Sequence, residues 1–373
     1  MRRVVSNLAV RLVPVLLLVT LGTSLLVELL PGDPAVAILG PNATPDDYDN
    51  VRQELGLDQS AGSRYLSWLG GVVHGDFGRT LVPPVQDVAD VIMSRLPVTL
   101  ELTVLATLMA LVLSVPIGLW SAYRLGGAFD RFTSTSAYAV ISLPSFLLGL
   151  TLIFVAVLHP SALRGVTGAL VAAGFIAVVG WVLNAKRNRA APVRPVALAI
   201  ALALCVLGAL AVAFWPELPR QGYVRISTGG LVENLRSLFL PALTLALIET
   251  AQLSQILRND AAVTLREDFV LAARAKGMPP VHILTKEVLR PSSFSLVTVA
   301  GISFGRLLGG TVIVETLFRL PGMGTLIVQS VATKDFAVLQ ASILLLAVIY
   351  VVVNALVDVS YAYLDPRVRR GAA

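Results

Sequence analysis

Long apolar stretches alternate with short polar ones along this chain, and the alternation fixes an architecture before any motif is read. Runs near the roughly 20 residues needed to cross a bilayer extend from about 8 to 30, 97 to 120, 133 to 157, 166 to 183, 196 to 215, 238 to 257, 294 to 315 and 337 to 363. The pattern predicts an all-α polytopic membrane protein with about eight transmembrane helices. Two polar interruptions have structure of their own. In the first, residues 32 to 95, Thr44-Pro45-Asp46-Asp47 signals a helix start, Tyr48, Val51 and Leu55 share a face, and Gly56 ends the run. Tyr65, Leu66, Leu69 and Val73 repeat the pattern, so two short amphipathic helices are expected on the outer surface. They form either a landing platform for a soluble protein or a lid on the spans.

The second interruption, Thr264 to Arg290, is a charged, helix-forming segment between two apolar spans. Thr264 and Glu267 read as a capping box, and Gly277 fits a helix stop after Arg274 and Lys276. Pro279 and Pro280 then open a second short helix. The expected product is a helix-turn-helix knob at the membrane surface, with Met278, Val281, Ile283 and Leu284 available to enter a partner's groove.

Composition agrees with the membrane reading: 56% of the residues are hydrophobic and 14% charged, a balance foreign to soluble domains. The net charge of +6 does not point to nucleic acid, because the Lys and Arg residues cluster at the ends of apolar runs. With the N-terminus cytoplasmic, the inner loops carry Arg124 and Arg131, then Lys186, Arg187, Arg189 and Arg194, then the knob, then Arg367, Arg369 and Arg370. The first outer loop instead holds nine Asp or Glu against four Arg. Both chain ends are therefore expected in the cytoplasm, and residues 160 to 237 contribute an even number of crossings, most simply one hairpin. Met1-Arg2-Arg3 and the apolar run to Leu30 lack a small-residue cleavage site before Pro31, which reads as an uncleaved first span. A single cysteine, Cys205, excludes an intrachain disulfide and a cysteine-based metal site.

Candidate chemistry is sparse. His74, His159 and His282 sit in three different loops, so neither a metal cluster nor a general base is supported. No phosphate-cradling Gly-x-x-x-x-Gly-Lys-Ser/Thr loop occurs, and Gly322-Met323-Gly324 reads as a tight turn. Ionisable groups in or near spans are Glu28, Glu101, Glu249, Arg306, Glu315 and Asp358, most of them near span ends and within reach of the interface. Glu249 and Arg306 lie deeper on different spans. They either pair structurally or, with Gln252 and Ser303, line a translocation path for a zwitterionic solute. Gly301, Gly305 and Gly309 recur every four residues, which suits close helix approach.

The knob's sequence, Ala272-Ala273-Arg274-Ala275-Lys276-Gly277, resembles the cytoplasmic "EAA" loop of binding-protein-dependent ABC importer permeases, in the ARAKG form of the oligopeptide/dipeptide/nickel branch. Further stretches resemble the same branch: Leu30-Pro31-Gly32-Asp33-Pro34, Leu55-Gly56-Leu57-Asp58, His74-Gly75-Asp76-Phe77-Gly78, Leu96-Pro97 with Thr99 and Glu101, and Ser142-Leu143-Pro144-Ser145-Phe146. Later come Glu315-Thr316-Leu317-Phe318, Leu320-Pro321-Gly322-Met323-Gly324, Asn354, Asp358 and Leu364-Asp365-Pro366-Arg367. Together they cover residues 8 to 158 and 238 to 370 in family order. Leu271 stands where the general pattern has Glu, and Glu287 replaces a frequently basic position.

The resemblance implies a type I ABC importer permease fold, a six-span family core plus an inserted hairpin. The expected organisation is a first span within 1–30, an extracytoplasmic loop 31–96, spans two and three within 97–158, the inserted hairpin 159–237, and core spans 238–373 with a coupling loop at 258–293. It implies a multi-pass subunit of the bacterial cytoplasmic membrane, embedded in lipid, with no catalytic, cofactor or metal site. Its partners would be a second homologous permease, ABC ATPase subunits that bind ATP and Mg, and an extracytoplasmic solute-binding protein. Ala272, Ala273, Arg274, Ala275, Lys276, Gly277, Met278, Pro279, Val281, His282 and Leu284 would couple to the ATPase. Di- or oligopeptides are the expected cargo, with nickel chelate, glutathione or haem as alternatives. A proton-coupled secondary transporter would show inverted repeats, and a membrane-embedded enzyme a polar cluster at one face; neither is visible.

Overall fold

The computed structural model describes residues 14–26, 34–40, 42–54, 58–159, 219 and 221–364. The expected turn Lys186 to Arg194, the apolar runs 166 to 183 and 196 to 215, Cys205, Glu28, the stretch Leu30 to Asp33 and the basic C-terminus all lie outside these residues. The secondary structure described is helical apart from one isolated antiparallel bridge, Arg79 with Asp87.

Short helices come first: α1 Pro14–Leu26, α2 Pro34–Leu39, α3 Pro45–Glu54 and α4 Ala61–Val73. A long α5, Val88–Tyr123, precedes α6 Ala128–Ser142 and α7 Ser145–Ile153, which ends in a π turn, Phe154–Leu158. After the undescribed segment come α8 Ile226–Thr264, α9 Asp268–Ala275, α10 Pro280–Phe318, α11 Met323–Thr333 and α12 Phe336–Leu364. Four helices are long and apolar enough to cross a membrane, or five if α6 and α7 form one span. The eight expected spans are thus met only in part among the described residues. The run 133 to 157 is not one helix, because α6 ends at Ser142 and Pro144 precedes the next start.

The chain divides into two compact units, residues 1–146 with 241–373, and residues 147–240. The bounds of the second bracket the expected insertion 159–237. In that unit Asn234 donates to the Val224 carbonyl at 2.9 Å, and the Ser237 hydroxyl accepts from the Val224 N–H at 3.3 Å, tying the chain to the start of α8.

In the first unit, one core of Val88, Ile92, Met323, Leu326, Val338 and Ala341 joins α5, α11 and α12, with Trp68 and Phe77 against it. The His74-Gly75-Asp76-Phe77-Gly78 stretch is a turn built for that contact. Gly75 and Gly78 take φ of 85° and 86°, and the Asp76 carboxylate accepts the Gly78 N–H at 2.8 Å. Asp335 receives the Leu81 N–H at 2.9 Å and caps α12 through Val338, fastening the same loop to the α11–α12 turn. Burial pushes its carboxyl above the usual carboxylate range.

Both outer helices form, with the expected Leu55 and Gly56 lying outside the described residues, but one face is turned. Thr44 and Asp47 exchange hydrogen bonds that cap α3, and the Thr44 bonds hold the Asp47 carboxyl below its ordinary range. On α4, Tyr65, Trp68, Leu69 and Val72 are partly covered, while Leu66 and Val73 are exposed. The predicted face Tyr65, Leu66, Leu69, Val73 is therefore corrected, since Trp68 packs on the core and draws its own side of the helix inward.

Of the predicted glycine stripe, two members do the work assigned. An added Cβ at Gly301 would strike Val357, and one at Gly305 would lie 2.5 Å from Tyr350 Cδ2, both on α12. Gly309 has nothing within 4 Å and is exposed. Gly305→Ala should therefore lower stability by about 1–3 kcal/mol through overpacking, whereas Gly309→Ala should be neutral or gain up to about 1 kcal/mol. Thermal unfolding of the purified variants in detergent checks the contrast.

Candidate functional site

The knob begins differently from its sequence signature. Thr264 is the last residue of α8, its hydroxyl bonded to the Asp260 carbonyl and to Ser292 Oγ at 3.1 Å. Glu267 is the N-cap of α9 and makes no side-chain cap bond. The expected capping box is absent because α8 runs on by one more turn and the Thr264 side chain ties the base of the loop to α10.

Gly277 behaves as predicted. With φ +73° it ends α9, and the Met278 N–H reaches the Ala273 carbonyl while the Gly277 N–H reaches that of Arg274, the bond pattern of a Schellman cap. Pro280 opens the next helix, but that helix is not a separate short one. It passes through a π turn, Ile283–Val288, straight into the span that ends at Phe318.

The inner face of the knob is apolar and closed. Val270, Ala273, Ile283, Leu284 and Val288 are buried in one core with Leu119 and Ala122 of α5, Leu253, Leu257 and Ala261 of α8, and Leu296 and Ala300 of α10, and Met278 packs against it. Ile283 and Leu284 are thus structural, and Ala273 and Leu284 are corrected as docking residues because they are only 6% and 4% exposed. Facing outward are Phe269, Leu271 and Val281, the last 65% exposed, among Arg266, Ala272, Arg274, Ala275, Lys276, Pro279, His282 and Lys286. Phe269 was missed by the sequence reading, although its i, i+2 relation to Leu271 flanking buried Val270 was visible. Arg274 also lies 5.9 Å from the Tyr123 ring, and Asp130 at the start of α6 is ion-paired with Arg258 of α8.

At the centre of the spans, the deeper charged pair is confirmed as a contact. Arg306 Nη2 donates to Glu249 Oε1 at 2.9 Å, to Gln252 Oε1 at 2.9 Å and to Ser303 Oγ at 3.4 Å. All four residues named as candidate path residues therefore meet. The Glu249 side chain is 3% exposed, the Arg306 side chain 55%.

Comparison with known proteins decides what such an arrangement belongs to. Residues 114–370 match the family of binding-protein-dependent transport system inner membrane components, and residues 1–103 match its N-terminal region. The chain belongs to that family. A peptide transport system permease protein named in Brucella abortus (strain 2308) is 32% identical over 96% of this chain and 96% of its own length. A peptide ABC transporter permease protein named in Sinorhizobium fredii (strain NBRC 101917 / NGR234) is 30% identical over 99% and 98%. The glutathione transport system permease protein GsiC of Escherichia coli (strain K12) is 32% identical over 96% of each chain. This permease is thus a multi-pass inner-membrane transport subunit and not itself an enzyme. Family membership implies a solute-binding protein and an ATPase as partners. Among the described residues no three His, Cys, Asp or Glu are grouped to hold a metal.

A further feature of the permease was missed in sequence. Glu315, expected near the interface, is fully buried and caps α11 from the preceding helix. Its Oε1 accepts from Thr99 Oγ1 at 2.7 Å and its Oε2 from the Thr325 N–H at 3.1 Å, while Thr99 Oγ1 accepts the Met323 N–H at 2.8 Å. Gly322 and Gly324 make room for it: a Cβ on Gly322 would lie 2.5 Å from Glu315 Cδ, and one on Gly324 2.6 Å from the Val312 backbone. The expected tight turn is therefore the start of α11. Glu315→Ala should cost about 1–3 kcal/mol by orphaning buried donors, read as a lowered thermal midpoint of the purified protein, with Glu315→Gln intermediate.

Proposed function

We propose that this permease imports di- or oligopeptides, pairing with a second, homologous permease and passing solute between the two. The observation that carries the coupling part of this reading is the outward exposure of Phe269, Leu271 and Val281 together with Arg266, Glu267, Asp268, Arg274, Lys276, His282 and Lys286, on a loop whose other face is fixed in the bundle core. Such a surface suits a groove on an ATPase subunit that takes apolar and charged side chains together. Ala272, Ala275, Gly277 and Pro279 leave that surface low enough for close approach, and ATP and Mg stay with the partner.

Peptide cargo rests on the relatives in Brucella and Sinorhizobium, and glutathione, on the Escherichia relative, is the second reading. The basic inner loops support cytoplasmic chain ends. The outer helices α3 and α4 then face the solute-binding protein, with Leu66 and Val73 exposed toward it. Driving a gate from one per cent open to ninety-nine requires roughly 5.5 kcal/mol of differential binding, supplied jointly by ATP and the docked binding protein.

Gly277→Val tests the coupling. A β-branched residue at φ +73° costs about 1–3 kcal/mol of backbone strain, enough to unseat the turn while the spans insert. Vanadate-sensitive peptide uptake into proteoliposomes should fall about tenfold or more while ATP hydrolysis persists. Normal uptake by this variant counts against the knob as the linkage.

A further inference from the structure

The polar cluster at the middle of the spans has two unfilled capacities. All three hydrogen bonds from Arg306 leave through Nη2, so the Nε and Nη1 hydrogens have no partner among the described residues. Glu249 Oε2, buried, also has none. Arg306 lies midway along the apolar run 294 to 315, and Glu249 midway along 238 to 257. Hydrocarbon does not solvate a guanidinium at that depth, so the face that exposes it meets protein or an aqueous path and not lipid tails.

That face is continuous. Ile302, Arg306, Gly309, Gly310 and Ile313 are all exposed at helical spacing along α10. A Cβ added at Gly309 or Gly310 would touch nothing within 4 Å, so the space one turn beyond the guanidinium is open. Ser303 and Gln252 bond the same Nη2 from both helices, which leaves Nε and Nη1 unoccupied, each able to donate on its own.

We infer that Arg306 reads the carboxylate of the crossing solute, with Glu249 as the positioning residue that holds the guanidinium and tempers its charge. The inference rests on the peptide reading proposed above. A lone arginine at that depth would trap an anion, and conduction needs a contact weak enough to release. Glu249 supplies the weakening: it shares Nη2 and offsets the positive potential, so a carboxylate meets only the separate donors Nε and Nη1 of a partly neutralised cation. The solute class is therefore one with a free carboxylate, such as a peptide C-terminus.

The test uses the full complex, with its ATPase and binding protein, in ATP-energised proteoliposomes presented with trialanine or its C-terminal amide at binding-protein saturation. Wild type should carry trialanine faster than the amide. Arg306→Gln should lower trialanine uptake about tenfold, the loss of a charge-assisted contact, and leave amide uptake nearly unchanged. Arg306→Lys keeps the charge without the fork and should retain assembly with a reduced acid-to-amide ratio. Equal losses for both peptides, or none, would overturn the inference and make the cluster a structural pair. Failure of the wild-type complex to carry either peptide, with ATP hydrolysis intact, would overturn the cargo reading and this inference with it.

Discussion

The apolar seam between the knob and the bundle is the constraint on which the rest depends. A loop between two spans can pass force to a span only if it cannot slide or bend relative to it. Here Ile283, Leu284 and Val288 plug the loop into a core shared with α5, α8 and α10. The second arm of the loop needs no hinge because it is the first part of α10. The π turn Ile283–Val288 lies within the packed region, so the irregularity that would soften a free helix is enclosed by buried side chains. Gly277 closes the other arm with two backbone bonds.

Three acidic residues of the bundle meet three kinds of environment, and the differences follow from what each is bonded to. Glu315 is fully enclosed, and both of its oxygens accept hydrogen bonds, one from a hydroxyl and one from a helix N-terminus. Asp130 is nearly closed, held by Arg258 and by the Gly126 N–H at 2.8 Å. Glu249 keeps one oxygen unsatisfied and shares its other with an arginine that is half in the open. A buried polar group without a partner costs stability in every fold. The arrangement at Glu249 and Arg306 is the least satisfied of the three, and it is also the one on an uncovered face.

The sequence carried the class, the knob and the central pair. It did so because hydropathy, the left-handed glycine at 277 and the depth of two charges in apolar runs are local signals. What it could not carry was long-range or rotational. Glu315 looks like a span-end carboxylate until Thr99, more than two hundred positions earlier, is brought beside it. The Gly322-Met323-Gly324 motif reads as a turn until the side chain it accommodates is known. On α4, Leu66 and Val73 fit a helical face as well as Trp68 and Val72 do, and only the position of the core chooses between them. Thr264 satisfied the spacing of a cap, but a strong helix upstream absorbed it.

These features fall in order along one helix. At about 1.5 Å per residue, Arg306 lies roughly 38 Å from Val281 at the exposed tip of the knob. Glu315 lies about 14 Å farther still. The far end of α10 is tied by the Glu315 and Thr99 bonds to α11 and α5, and Gly301 and Gly305 seat its middle on α12. The near end is held, among the described residues, by apolar contacts and the Thr264 to Ser292 hydroxyl pair. Apolar contacts are non-directional and tolerate a small shift, whereas a buried carboxylate with fixed donors does not. Of the two ends of α10, the one at Glu315 is thus the more sharply fixed in position. Arg306 sits between the two, on the exposed face of α10.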